Sequence, residues 1–399
     1  MRRLWALIIG GLLAVAAGGC VSTASTTRAM VPAAVALKAD VPGMTRVRFW
    51  GDELPGALDE LVAERDRQLT AHRPQLIRKR KETLSFLALS GGGADGAFGA
   101  GLLTGWSASG RRPQFEVVTG ISTGALMAPF AFLGAEHDAA LTEIYTSFGT
   151  KELVNFKIVT GIFGGAAITE NSELRAIIAR YVTPELLAAI AREHARGRRL
   201  FVGTTNLDAQ RPVVWDLGAI ASHGTPQALH LFRDVLLASA SVPGLFPPVF
   251  IDTAAEGTLV QEMHVDGGTT AEIFFLPPHI LRTTLREKPK ARAPLRLYVI
   301  SNGKLGPDWR QINPTTFSIV GRSIDTLLKS QWNSDLSSLY RTSVTFGIDF
   351  RLAGVPESFS KTPKETFDKA YMKSLYDIGL ATGLAADPWL RAPPLGPGN

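Results

Sequence analysis

Residues 84–128 constrain this chain more than any other stretch. Residues 84–90 (LSFLALS) form a short apolar run bounded by glycines, which predicts a buried strand. The loop Gly91-Gly92-Gly93-Ala94-Asp95-Gly96 follows, and the small residues of 97–103 open a helix. Residues 115–118 predict a second strand that runs into Gly120-Ile121-Ser122-Thr123-Gly124 and a further apolar helix from Ala125. A glycine loop and a serine turn are thus expected at the same ends of neighbouring strands, each feeding a helix N-terminus.

These residue types suit acyl transfer. A serine on a sharp strand-to-helix turn has its hydroxyl lifted clear of the backbone, and Gly120 and Gly124 leave room for the tight approach. The helix that begins near Ser122 aims free N–H groups, Thr123 among them, at any oxygen held there. Consecutive glycines offer further N–H groups without side chains in the way, as a developing oxyanion requires. Either motif alone occurs by chance in a chain with 39 glycines, where an ordinary Gly/Ser turn is the simpler explanation. Two of them in strand–turn–helix context are harder to attribute to chance.

A rival reading exists for the loop. Gly91-x-Gly93-x-x-Gly96 has the form of a dinucleotide fingerprint, with Glu116 at the spacing of a ribose-binding acid. Glu116, however, begins the second strand where such an acid would end it, which argues against a nucleotide site.

The beginning of the chain reads as a targeting segment. Arg2 and Arg3 are followed by the apolar residues 4–17 and by the small residues Ala17-Gly18-Gly19, so residues 1–19 are expected to be a signal peptide. The apolar run is short for a membrane span. Next comes Cys20, the only cysteine, which rules out an intramolecular disulfide framework. The pattern resembles the bacterial lipobox, with Ala17 where a leucine is usual. That resemblance implies lipidation at Cys20 and anchoring to a membrane of the bacterial cell envelope, the outer membrane being the expected one. Residues 20–45 are small and polar, a flexible tether.

The 399-residue chain is 45% hydrophobic and can bury a large core. Net charge is +6, but the bases are dispersed among 36 acids, and the cluster at residues 78–81 reads as a solvated helix end; no nucleic-acid partner is indicated. Residues 46–82 are expected to form a helical segment, with helical spacing over 52–81, and residues 83–390 one α/β domain. The apolar stretch 151–169 is broken by glycines and reads either as core strand and loop or as a flap over an acyl-chain pocket. Strands are expected at 198–206, 211–216, 249–252, 258–265, 295–301 and 345–352, and helices at 171–181, 183–195, 315–345 and 363–383. The strand 258–265 ends in Asp266-Gly267-Gly268. Asp-Gly is a common hairpin turn, yet here an acid at a strand end supplies the general base that Ser122 otherwise lacks.

In order, the loop 91–96, the turn 120–124 and Asp266-Gly267-Gly268 resemble the patatin-like phospholipases, and the stretch from Ala238 through Pro243 and Phe246 to Pro248 is similar to that family's segment between nucleophile and aspartate. The resemblance covers residues 84–268. It implies a three-layer α/β/α fold with a mostly parallel sheet, and a lipid acyl hydrolase of phospholipase A or esterase type that works with a Ser–Asp dyad. Ser122 would then be the nucleophile, Asp266 the base, and the amides of Gly91, Gly92 and Gly93, with Thr123, the oxyanion donors. Substrates would be membrane lipids or other lipid esters. No cofactor, metal or calcium requirement is expected. Two departures stand out: Asp95 where the family carries Arg or Lys, and Thr269-Thr270-Ala271-Glu272-Ile273 where the family commonly runs to an asparagine and Pro-Val. They keep a competing reading open, a catalytically inactive lipid-binding lipoprotein of the same fold. A triad through His264 or His279 is the other alternative, because His264 would share a strand face with Asp266 and His279 follows in Ser…Asp…His order.

Overall fold

The computed structural model describes residues 28, 32–74, 82–153, 155–156, 169–275 and 293–394. The chain divides into two compact units, Met1–Pro32 and Ala33–Asn399, and every element named here belongs to the second. The signal segment, Cys20, most of the tether, the basic cluster at 78–81, residues 157–168, His279 and the basic loop at 282–292 lie outside the described residues.

A nine-stranded sheet organises this unit. In chain order its strands are β1 (Arg48–Trp50), β2 (Leu84–Leu89), β3 (Phe115–Gly120), β4 (Arg199–Asn206), β5 (Arg211–Asp216), β6 (Val249–Ala255), β7 (Thr258–Asp266), β8 (Leu295–Lys304) and β9 (Asp349–Val355). The centre runs β4-β3-β2-β8-β9, all parallel. Antiparallel strands finish one side: β5 on β4, β1 on β5, and the hairpin β6–β7 attached to the end of β4. All residues of β3 and β4 are buried, as a parallel strand covered on both faces requires.

The two faces separate by the period of two along a strand. Leu87, Leu89 and Val118 belong to a large core with the helices α2 (Gly96–Ala108), α3 (Thr123–Leu133), α4 (Asp138–Ser147), α8 (Pro226–Ser239) and α10 (Lys369–Leu384). Between α3 and α10 in sequence, α5 (Ser172–Tyr181), α6 (Pro184–Ala195) and α7 (Leu217–Ser222) add to the same layer. Phe86, Ala88 and Val117 point to the other face, where Trp332 and Leu336 of the long helix α9 (Thr316–Phe346) cover them. The result is the expected three-layer α/β/α arrangement. Helices α2 and α10 meet almost backbone to backbone: a Cβ at Gly101 would lie 2.0 Å from the Tyr376 carbonyl oxygen, and one at Gly379 would lie 2.1 Å from that of Phe98.

The amino-terminal segment differs from the expectation of a purely helical region. β1 joins the sheet, pairing Trp50 with Val213, and helix α1 covers only Leu58–His72 because Pro55-Gly56 delays its start. From α1's end, Arg73 reaches Glu116 with two hydrogen bonds of 2.7 Å each. Among the described residues no helix is long and apolar enough to cross a membrane.

Candidate active site

The register of β2 against β3 brings Leu89 opposite Gly120, so the glycine loop and the serine turn leave the sheet side by side. Ser122 sits at φ 54°, a left-handed value that is costly for a residue with a Cβ. Both flanking glycines are needed for that geometry. A Cβ on Gly120 would lie 2.4 Å from the Gly124 carbonyl oxygen, and one on Gly124 would lie 2.5 Å from that of Leu89. The Gly124 N–H closes the turn on the Ile121 carbonyl at 2.8 Å. The Ser122 N–H donates to Ser239 Oγ at 3.0 Å, and Ser239 Oγ donates to the Gly203 carbonyl at 2.7 Å. On the other side of the elbow the Tyr145 hydroxyl donates to the Thr123 carbonyl at 2.8 Å and receives the Thr123 hydroxyl at 2.8 Å.

The glycine loop is held from β8. Asn302 donates its backbone N–H to Ser90 Oγ and its side-chain amide to the Ser90 carbonyl, each at 2.8 Å. Gly92 has φ 145° and Gly93 φ 54°, and a Cβ at Gly92 would lie 2.0 Å from the Asn302 carbonyl oxygen. Three loop amides were expected to face the substrate; the structure divides them. The Gly91 N–H donates to the Glu272 carbonyl at 3.1 Å, whereas the amides of Gly92 and Gly93 have no protein acceptor among the described residues, nor has that of Thr123 at the first position of α3.

Asp266 ends β7, whose last residue pairs with Thr204 of β4, two strands from β3, which leads into Ser122. Its N–H donates to the Ser241 carbonyl at 2.9 Å, so the turn after α8 positions both members of the pair through Ser239 and Ser241. The Asp-Gly-Gly stretch is a single 3-10 turn capped by Asp266, whose Oδ1 accepts the Gly268 N–H at 2.8 Å. Oδ2 is buried without a hydrogen-bond partner. Burial lifts the carboxyl to about 7, against the pull of the nearby Ser122 hydroxyl and the Gly268 amide. Next to the pair lies Glu272, partly buried, which burial and the charges of Asp266 and Asp335 lift to about 8.

The rival residues have other partners. Glu116 is bound to Arg73 and carries no ribose role. His264 is fully buried, its Nδ1 3.0 Å from Thr204 Oγ1 and its Nε2 3.0 Å from Glu262 Oε2, so neither nitrogen is left for Ser122. Asp95, in the position of the family's base, is not directed at solvent: it accepts the Tyr371 hydroxyl at 2.7 Å, and burial lifts it to about 6. A cavity of about 220 Å³ is lined by Ile121 and Gly267, the neighbours of Ser122 and Asp266, and by Phe274 and Leu339. Among the described residues no group of three His, Cys, Asp or Glu side chains is set to hold a metal ion.

Sequence reasoning missed Asn302, which carries no motif of its own, placed Ser239 in the family-like stretch 238–248 without giving it a role, and registered Glu272 only as part of the run after Gly268 that departs from the family's pattern.

Residues 87–278 match the patatin-like phospholipase family. Over those residues the chain carries a patatin-like phospholipase domain. No curated protein matches the chain. Among solved structures, the chain is similar to VipD from Legionella pneumophila, at 12% identity over 74% of this chain and 67% of that one, with a TM-score of 0.30. It is also similar to human GIVD cytosolic phospholipase A2, at 10% identity over 72% of this chain and 51% of that one, with a TM-score of 0.28. The patatin-like assignment rests on the family match and on the sheet itself.

Proposed function

We propose that this patatin-like protein is a lipid acyl hydrolase in which Ser122 and Asp266 act as a two-residue centre. The observation that carries the proposal is the strained elbow serine beside a buried carboxylate with an unpartnered oxygen. A carboxylate with its ordinary affinity for protons is a feeble base toward a hydroxyl; one lifted to about 7 accepts that proton with less penalty. Ser122 Oγ attacks the ester carbonyl while its proton passes to Asp266. The carbonyl oxygen becomes an oxyanion facing the amides of Gly92, Gly93 and Thr123. The tetrahedral intermediate collapses, the alcohol leaves with the proton from Asp266, and an acyl-Ser122 ester remains. Water then attacks that ester, gives its proton to Asp266, and releases fatty acid as Ser122 regains its proton.

The substrates are membrane lipids or related lipid esters. Once the signal segment 1–19 is removed, a lipidated Cys20 would tether the domain to an envelope membrane, leaving the catalytic unit at the lipid surface. The deciding experiment follows fatty-acid release from phospholipid vesicles and cleavage of a short-chain nitrophenyl ester by wild type, Ser122→Ala and Asp266→Asn. Loss of turnover in both variants, with unfolding temperatures near wild type, is the expected result. Wild-type protein that binds vesicles but cleaves neither ester would favour the lipid-binding lipoprotein instead.

A further inference from the structure

Glu272 lies where the two catalytic loops meet, and the mechanism above does not use it. One glycine from each loop leaves the space its carboxyl occupies. A Cβ at Gly91 would lie 2.6 Å from Glu272 Oε2 and 3.5 Å from Ser122 Cβ. A Cβ at Gly268 would lie 2.6 Å from Glu272 Oε1 and 3.1 Å from Asp266 Oδ1. One carboxyl oxygen is therefore on the serine side and the other on the aspartate side.

The backbone fixes it there. Its carbonyl accepts the Gly91 N–H at 3.1 Å, and its own N–H donates to Asp335 Oδ2 at 2.8 Å. Asp335 is steadied in turn by Gln331, which donates to Oδ1 at 2.7 Å. The charged groups that face Glu272 are Asp266 from the end of β7 and Asp335 from α9, both acidic; the glycine loop and the elbow bring none. No Lys, Arg or His pairs with its carboxyl among the described residues.

We propose that Glu272 is a second carboxyl of the Ser122–Asp266 centre, a positioning residue that must stay neutral for the oxyanion to form and that stops turnover when it ionises. This rests on the reading of Ser122 and Asp266 as nucleophile and base. Two like charges at such range do not both form cheaply, so the site that holds the Asp266 carboxylate keeps the proton on Glu272. Once that proton leaves, a full negative charge stands beside Ser122, where negative charge must develop on the substrate oxygen, and the transition state loses the benefit of the loop amides. The pair thus confines activity to a window between the loss of its first proton and the loss of its second.

The test is kcat/KM against pH for wild type and Glu272→Gln on an uncharged nitrophenyl ester read at its isosbestic wavelength. Wild type should give a bell, rising through about 7 and falling through about 8. Glu272→Gln should keep the acid limb and lose the alkaline one, so that its rate at pH 9 relative to pH 7.5 rises about tenfold over wild type. An unchanged alkaline limb in the variant overturns the proposal. Asp335→Asn supplies a second variant should the first fail to fold: removing that charge eases ionisation of Glu272 and moves the alkaline limb to lower pH, and a limb that does not move overturns the proposal.

Ser122→Ala separates the two readings. If it is inactive while Glu272→Gln keeps the alkaline limb, only the role of Glu272 falls; if it stays active, the dyad falls with it. Should wild type cleave no ester, thermal unfolding decides. Wild type must lose stability relative to Glu272→Gln as pH rises from about 5 to about 8, because the folded protein holds a proton that the unfolded chain releases. Parallel curves overturn the proposal.

Discussion

Ser239 ties Ser122 to the sheet: its Oγ accepts the Ser122 N–H at 3.0 Å and donates to the Gly203 carbonyl at 2.7 Å. Separated by 117 residues, the two serines form a brace that holds an unfavourable φ in place. Ser239→Ala would leave a buried donor and a buried acceptor unpaired, at a cost of about 1–3 kcal/mol. It should also loosen the elbow, lowering kcat about tenfold or more while KM stays near wild type. Unfolding curves and steady-state kinetics check both; wild-type kcat in a well-folded variant would show that the brace has no part in placing Ser122.

Gly92 tests the loop. Its φ of 145° suits only glycine, and an added methyl would lie 2.0 Å from the Asn302 carbonyl, so Gly92→Ala must displace the loop from β8. Losing one oxyanion donor typically costs about 10²–10³ in kcat, and that is the expected fall here. Gly110, at φ 70° with open space around it, is the control: Gly110→Ala carries the local strain without reaching the site and should leave kcat alone. Equal losses at the two positions would remove the loop's special role.

Why these features differ in legibility is a matter of range. Ser122 and its flanking glycines, the loop glycines and Asp266 each meet a local demand of the backbone, and a local demand leaves a readable pattern. Asn302 and Arg73 act through partners far along the chain, and nothing in their immediate sequence distinguishes them from an ordinary asparagine or arginine; Ser239 lies in the legible stretch 238–248, but its bond to Ser122 spans 117 residues and leaves no local sign. The Asp-Gly turn shows the ambiguity directly: two residues that commonly make a hairpin here make a capped 3-10 turn, because the Asp266 carboxylate takes the Gly268 amide. The apolar run of β2 reads as a buried strand, but which of its side chains meet α9 is set by the packing.

His264 separates structural from catalytic histidine. It bridges Thr204 and Glu262 at 3.0 Å each, and Glu262 also holds Arg48. Burial pushes the imidazole below its usual range, so it is neutral there. His264→Ala should therefore cost about 2–4 kcal/mol in stability through a cavity and the loss of two buried hydrogen bonds, while kcat of the folded fraction stays within a few-fold. Denaturant titration with kinetics at low temperature reads the two effects apart. Loss of turnover in fully folded protein would return a triad to consideration.

Asp266 makes a prediction that needs no substrate. Its ordinary value is 3.8 and its folded value about 7, so the folded protein retains a proton that the unfolded chain gives up between those pH values. The sign follows: stability contributed by this site is highest in acid and declines as pH rises through that window, then levels off. Each unit of difference is worth about 1.4 kcal/mol, so Asp266→Asn, which cannot ionise, should gain on wild type by a few kcal/mol between pH 4 and pH 7 and hold the gain above it. Unfolding temperatures of the two proteins across pH 4–9 measure the divergence. Curves that stay parallel would mean that Asp266 ionises as freely in the folded chain as in the unfolded one, and a carboxylate of that kind would lack the basicity that a serine hydroxyl needs.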